Sequence, residues 1–193
     1  MRFIIFTFLF LFTTASLAED ISDFEIEGIS IGDSALKFFS ENDLIKKKQN
    51  YYKDKKFTAI DGLKLNNNLM NYDFIDLNYK TNDTNFIIFN ISGRINFDKN
   101  IEDCYKKMDE IISELKKVFK SAKFYEKEVF SHRADDSGNS KITDAMFELN
   151  TGFVVVQCYD WSAKFNEEFN YTDNLTVSID SMEFYNWMSS GVY

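Results

Sequence analysis

The amino-acid sequence predicts an α+β fold: a mostly antiparallel sheet of about six strands, one long amphipathic helix packed on one face, and short N- and C-terminal helices. Three observations predict it. Residues 101–119 repeat apolar side chains at three- and four-residue intervals, the period of a helix that buries one stripe. Segments on both sides of that helix alternate apolar with polar residues, or run β-branched and aromatic. Polar clusters with turn chemistry separate those segments.

The chain opens on Met1 and Arg2, continues with an apolar run from Phe3 to Phe12 broken by Thr7, and reaches the small residues Ser16 and Ala18. This is the layout of a secretory signal peptide over residues 1–18, cleaved after Ala18, and its apolar run is shorter than the roughly 20 residues a membrane-spanning helix needs. Residues 19–193 then form a single globular α+β domain, with no linker, repeat or low-complexity block to divide them. No stable membrane insertion is expected after cleavage, and the location is periplasmic or secreted.

Phe24, Ile26 and Gly28 to Ile31 form a short strand-like opening, after which Asp33 is placed to cap a helix carrying Leu36, Phe38 and Phe39. Lys46 to Lys48 and Lys53 to Lys56 make a locally basic stretch around Tyr51, Tyr52 and Phe57, read as a solvated helix end and loop. Tyr72 to Tyr79 and Phe86 to Phe97 read as two strands joined by Thr81-Asn82-Asp83-Thr84. Asn100 caps the long helix, with Glu102 and Lys106, and Asp103 and Lys107, spaced for ion pairs on its wet face. Phe124–Phe130, Ile142–Leu149, Phe153–Trp161 and Leu175–Ile179 follow as strands, with a hairpin turn at Asn150-Thr151-Gly152. Ser181 caps a last short helix carrying Met182, Phe184, Tyr185, Trp187 and Met188.

The formal charge of −9 makes nucleic acid and anionic lipid poor partners. The chain has no Pro and is rich in residues with AT-rich codons, which accounts for the Asn-x-Ser/Thr triplets at Asn82, Asn90, Asn170 and Asn174. Cys104 and Cys158 are the only cysteines, one on the buried stripe of the long helix and one in a strand that this helix can cover. In an oxidising compartment they are expected to pair as a disulfide. Asp135 to Ser140 is read as a polar hairpin tip, because an EF-hand alignment on Gly138 puts Arg133 at the first ligand position. His132 is read as solvated, and no metal set and no cofactor motif accompany it. Tyr159, Asp160 and Trp161 end a hydrophobic strand and form the candidate ligand-binding surface, for a sugar or a peptide; the same two rings can instead close the core with their polar tips wet.

Gly32-Asp33-Ser34-Ala35-Leu36, after a strand and before a helix, resembles the nucleophile block of the GDSL, or SGNH, lipases and esterases. The resemblance implies a small envelope hydrolase with Ser34 as nucleophile, but the family's Asp-x-x-His and Gly-x-Asn-Asp blocks are missing and the single histidine is His132. The phrase Ile29 to Ser34 is also similar to the helix-opening segment of SmpA/OmlA-type envelope proteins. Ile21 to Ser40, Asp103 to Lys107 and Cys158 to Ser162 together resemble a group of short exported proteins from SAR11-type marine alphaproteobacteria. That resemblance implies a periplasmic home and a shared fold, and carries over no activity. The reading is therefore a non-enzymatic periplasmic binding or envelope-accessory domain, its partner an unidentified ligand or envelope protein, with the Ser34 hydrolase as the alternative.

Overall fold

A computed structural model describes residues 20–65, 69–97 and 100–192. The expected leader at residues 1–18 lies outside the described residues. After a single 3-10 turn at Ile21–Asp23, the elements run β1 (Glu25–Ile26), β2 (Ile29–Ser30), a second 3-10 turn (Ala35–Lys37), α1 (Glu41–Lys46), β3 (Lys48–Gln49), β4 (Phe57–Leu63), β5 (Phe74–Lys80) and β6 (Ile88–Asn96). They continue with α2 (Ile101–Val118), β7 (Lys123–Ser131), β8 (Lys141–Glu148), β9 (Gly152–Asp160), α3 (Ala163–Phe169), β10 (Asn174–Ser181) and α4 (Met182–Ser189).

The fold is α+β, with a large antiparallel sheet as expected, but the sheet has eight strands where the sequence suggests about six. Its order is β3-β4-β5-β6-β10-β9-β8-β7, and β1 and β2 form a separate hairpin. Two meanders, β3 to β6 and β7 to β10, thus meet where β6 pairs β10, and α2 carries the chain from the middle of the sheet to its far edge. The two missed strands have a physical reason. β3 is only two residues long, and β4 breaks the alternation because a bulge lies between Ile60 and Leu63.

The pleat divides the sheet into unlike faces. Ile60, Ile75, Leu77, Ile91, Leu175, Val156 and Cys158 point to one side, where the buried stripe of α2, Cys104, Met108 and Ile112, covers them. The N-terminal segment adds Ile26, Ile29, Phe39 and Leu44 to the same core. On the opposite face α4 lays Phe184 and Trp187 over Tyr52, Phe57 and Ala59, a smaller aromatic core at one end of the sheet. The rest of that face is polar over β5 and β6, with Asp76, Ser92 and Arg94, and mixed over β9, with Phe153, Val155 and Tyr159 beside Gln157.

Local capping follows side-chain chemistry. Asn100 accepts from the Glu102 amide at the start of α2, and Ser181 accepts from the Phe184 amide at the start of α4, both as expected. Asp33 does not cap a helix; its carboxylate takes Lys37 Nζ at 2.6 Å and the Ser30 amide. Ser34 caps the 3-10 turn instead, and Ser40 caps α1. The ion pairs on α2 form one residue closer than expected, Lys106 with Asp103 and Lys107 with Glu110, each at 3.1 Å. Such exposed pairs add little to stability.

Gly152 shows how closely β9 and β10 meet. A Cβ there would lie 2.2 Å from the Asp180 carbonyl oxygen. Gly152→Ala must therefore push the two central strands apart, at an expected cost of about 2 kcal/mol. A urea titration checks this: the midpoint falls with the slope unchanged, whereas an unchanged midpoint overturns the account.

Candidate functional site

The polar half of the second face is built around the β4 bulge. Asp61 and Gly62 together oppose Asp76, so that Leu63 returns to the apolar side after the extra residue. Gly62 has φ +71, a conformation that side-chain-bearing residues rarely adopt, and its amide donates to Asp76 Oδ1 at 2.6 Å. The bulge thereby sets two carboxylates beside each other on one face.

Arg94 reaches Asp76 from β6, with Nη2 3.4 Å from Oδ1 and Nε 3.4 Å from Oδ2. The pair is long and poorly aligned, and the buried Arg94 Nε has no hydrogen-bond partner among the described residues. Tyr51, from the connection after β3, donates its hydroxyl to Asp61 Oδ2 at 2.5 Å. Tyr171, from the connection before β10, and Lys47, just past α1, lie within electrostatic reach of the group.

Burial pushes the Asp76 carboxyl up to about 6, with Arg94 pulling it back and the charge of Asp61 adding repulsion. Asp61 is raised as well, again by burial, against the Tyr51 hydrogen bond and the positive charges of Arg94 and Lys47. The side chains of Asp76 and Arg94 keep 18% and 26% of their surface exposed, so the cluster is sheltered yet reachable. Ser92 and Ser178 lie next along the row through Asp76, and Thr176, Gln157 and Asp144 along the row through Arg94. Donors and acceptors thus alternate over this part of the sheet. Chemically, two carboxylates share the Arg94 guanidinium and the nearby Lys47 ammonium, which suits a ligand that offers both donors and acceptors.

The residues singled out in the sequence are distributed differently. Tyr159 and Trp161 point to the polar face and stack at 5.6 Å, while Asp160 between them turns to the α2 side, where it acts on Tyr105. The three do not form one surface. Trp161 is enclosed by Tyr171 at 4.7 Å, His132 at 4.5 Å and Phe165 at 5.5 Å, so most of its ring area is spent on packing. Neither reading open in the sequence matches in full: the rings pack in an aromatic cluster outside both cores, and the Trp161 Nε1 is buried without a hydrogen-bond partner among the described residues, not wet.

His132 is not merely solvated: it packs on Trp161, and burial lowers its pKa. The hairpin tip beside it is organised by Asp135, whose carboxylate accepts from Ser137, Ser140 and Ser162 and is held well below the usual range by those bonds. This carboxylate ties the β7–β8 turn to the residue that caps α3.

Cys104 and Cys158 form a disulfide, with their Cα atoms 6.1 Å apart. Ser34 donates its hydroxyl to the Asn85 carbonyl at 2.6 Å and bridges Ile87 at the start of β6. His132 follows β7, whose Ser131 end is level with Lys141, Asp160 and the Asn96 end of β6. Ser34 and His132 therefore sit at opposite ends of the sheet and make no nucleophile–base pair.

Asp61, Asp76 and Arg94 were not singled out by sequence reasoning. The available signal was the polar phase of each strand, Asp76 and Asn78 in β5 and Asn90, Ser92 and Arg94 in β6, which reads as an ordinary wet face. Among the described residues, no group of three or more His, Cys, Asp and Glu side chains is placed to hold a metal ion, and no helix is long and apolar enough to cross a membrane. Comparisons with known protein families, with curated proteins and with solved structures returned no match.

Proposed function

We propose that this chain is an exported, non-enzymatic binding domain of the periplasm that holds a small polar ligand against the Asp61–Asp76–Arg94 cluster. The observation that carries the reading is Arg94: a largely buried guanidinium whose Nε has no hydrogen-bond partner among the described residues, set beside two carboxylates. Folding alone favours an apolar or fully paired arrangement at such a position. Perturbed ionisable groups gathered on one sheltered face are the usual mark of a site. Tyr51 and Tyr171 supply rings at its margin, and the leader-like residues 1–18 together with the disulfide support the compartment.

Two measurements test the reading. Intact mass of the protein recovered from the periplasm is expected to correspond to a chain beginning at Glu19; a retained leader removes the export half of the proposal. Thermal shift is then measured with neutral sugars, amino acids and small amines on wild type and Arg94→Ala. One class is expected to raise Tm saturably, by several degrees at about 100 times its Kd, and Arg94→Ala is expected to abolish the rise. A panel with no saturable shift, or a shift that Arg94→Ala leaves intact, removes the binding half.

A further inference from the structure

A second feature lies on the outer edge of β4, outside the Asp61–Asp76–Arg94 cluster. Because β3 pairs only Ile60 and Ala59, the chain leaves the sheet at Asn50 and the Phe57–Thr58 stretch of β4, paired by β5 on its inner side, has no strand on its outer side. The connection instead dips so that Tyr52 packs on Trp187, and Lys53 returns to the C-terminal end by donating to the Val192 carbonyl. The uncovered edge becomes a half-open pocket of about 160 Å³.

Its floor is apolar, Tyr52 and Phe57, and its walls are polar: Lys48, Gln49, Asn50, Lys55, Thr58 and Thr81. No carboxylate lines it. Among the described residues Lys48 and Lys55 make no ion pair, although neighbouring Lys56 and Lys80 both pair with Glu183. Lys55 Nζ donates to the Tyr52 carbonyl, which holds the ammonium at the pocket and leaves two of its protons to give. The Thr58 and Thr81 hydroxyls meet at 2.7 Å, one donating to the other, so one hydroxyl proton remains available.

In a chain of net charge −9, a concave site with two cations that no carboxylate pairs among the described residues, the Lys48 ammonium lying over the Tyr79 and Phe86 rings, together with two side-chain amides and a hydroxyl donor, is a local reversal of sign. We infer that this pocket binds a phosphoryl group, as a free phosphate monoester or on a lipid headgroup, with Lys48 and Lys55 as its charged contacts. A tetrahedral dianion takes several convergent donors at once, which a single carboxylate does not, and charge-assisted bonds are the strong ones. Closure by the apolar floor limits the ligand to a small headgroup.

The test is calorimetric titration of the purified protein with inorganic phosphate and with glycerol 3-phosphate, against chloride at matched ionic strength. Co-sedimentation with vesicles of phosphatidic acid in phosphatidylcholine separates the lipid source from the soluble one. Wild type is expected to bind phosphate or the monoester saturably, or the vesicles, and Lys48→Gln with Lys55→Gln to weaken that binding by about tenfold or more. Lys106→Gln, a surface lysine on α2, is the control and is expected to change nothing. Binding matched by chloride, binding retained in the double variant, or no binding to any of the three overturns the inference. Arg94→Ala is expected to leave phosphate binding intact, so failure here and failure of the proposed function are read separately.

Discussion

Loss of the Cys104–Cys158 bridge is expected to lower stability by about 4 kcal/mol, the chain-entropy value for a closed loop of this length. The two half-cystines stand 54 positions apart, and both are fully buried. Against the roughly 5 to 15 kcal/mol that holds a typical domain together, this is a large share. The bridge joins the first buried position of the helical stripe to a strand beneath it, so reduction frees the N-terminal end of α2 where it meets β9. Met108 and Ile112 remain to hold the helix by apolar contact. Cys104→Ala with Cys158→Ala, unfolded in urea beside the wild type, is expected to show a lower midpoint and a steeper slope, because the unlinked unfolded chain exposes more surface. A difference under about 1 kcal/mol contradicts the entropic account and assigns the docking of α2 to its apolar stripe alone.

The parts of this fold legible in the sequence are those decided by near neighbours. The α2 stripe, the Asn100 and Ser181 caps and the Gly152 turn depend on residues within a few positions, and all are found where the pattern puts them. The disulfide was legible because the helix period buries Cys104 and the chain has a single possible partner for it, Cys158. β4 was not legible, because the two residues of its bulge interrupt the alternation that identifies strands. Those same two residues set up the site.

The candidate cluster was invisible for a related reason. Asp61, Asp76 and Arg94 come from three strands, and each looks like a polar residue on the wet phase of its own strand. The connections carrying Tyr51 and Tyr171 bring rings to them, Tyr51 from ten positions away and Tyr171 from a distant part of the chain. Trp161 was open to two readings in the sequence, platform or core ring, and the stacking of Phe165 and Tyr171 on it is what the sequence did not show. Alternation states which face a side chain takes; long-range packing decides whether that face meets water.

Asp180→Asn is expected to stabilise the protein by on the order of 3 kcal/mol near pH 8 and to change little near pH 4. Asp180 lies beneath α4 at the end of a buried chain of hydrogen bonds in which Tyr52 donates to Asn78, Asn78 to Asn90 and Asn90 to Asp180. The negative charge of Asp144 bears on it, and no cation among the described residues offsets that charge. Burial therefore pushes its carboxyl up to about 7, well above the ordinary value near 3.8. The folded state then holds a proton that the unfolded chain has released, so the contribution is complete below about pH 4 and is lost as pH rises towards 7. Asp76 and Asp144, both raised to about 6, tilt the profile the same way. Wild-type stability is thus expected to fall from mildly acidic to neutral pH. Asparagine keeps the acceptor for Asn90 and resembles the protonated acid in shape, but has no charge to desolvate. Chemical denaturation of both proteins at the two pH values decides the matter. A gain in the variant that is the same at both shows that Asp180 ionises alike in the folded and unfolded chains, and the buried network then owes its order to hydrogen bonding without a held proton.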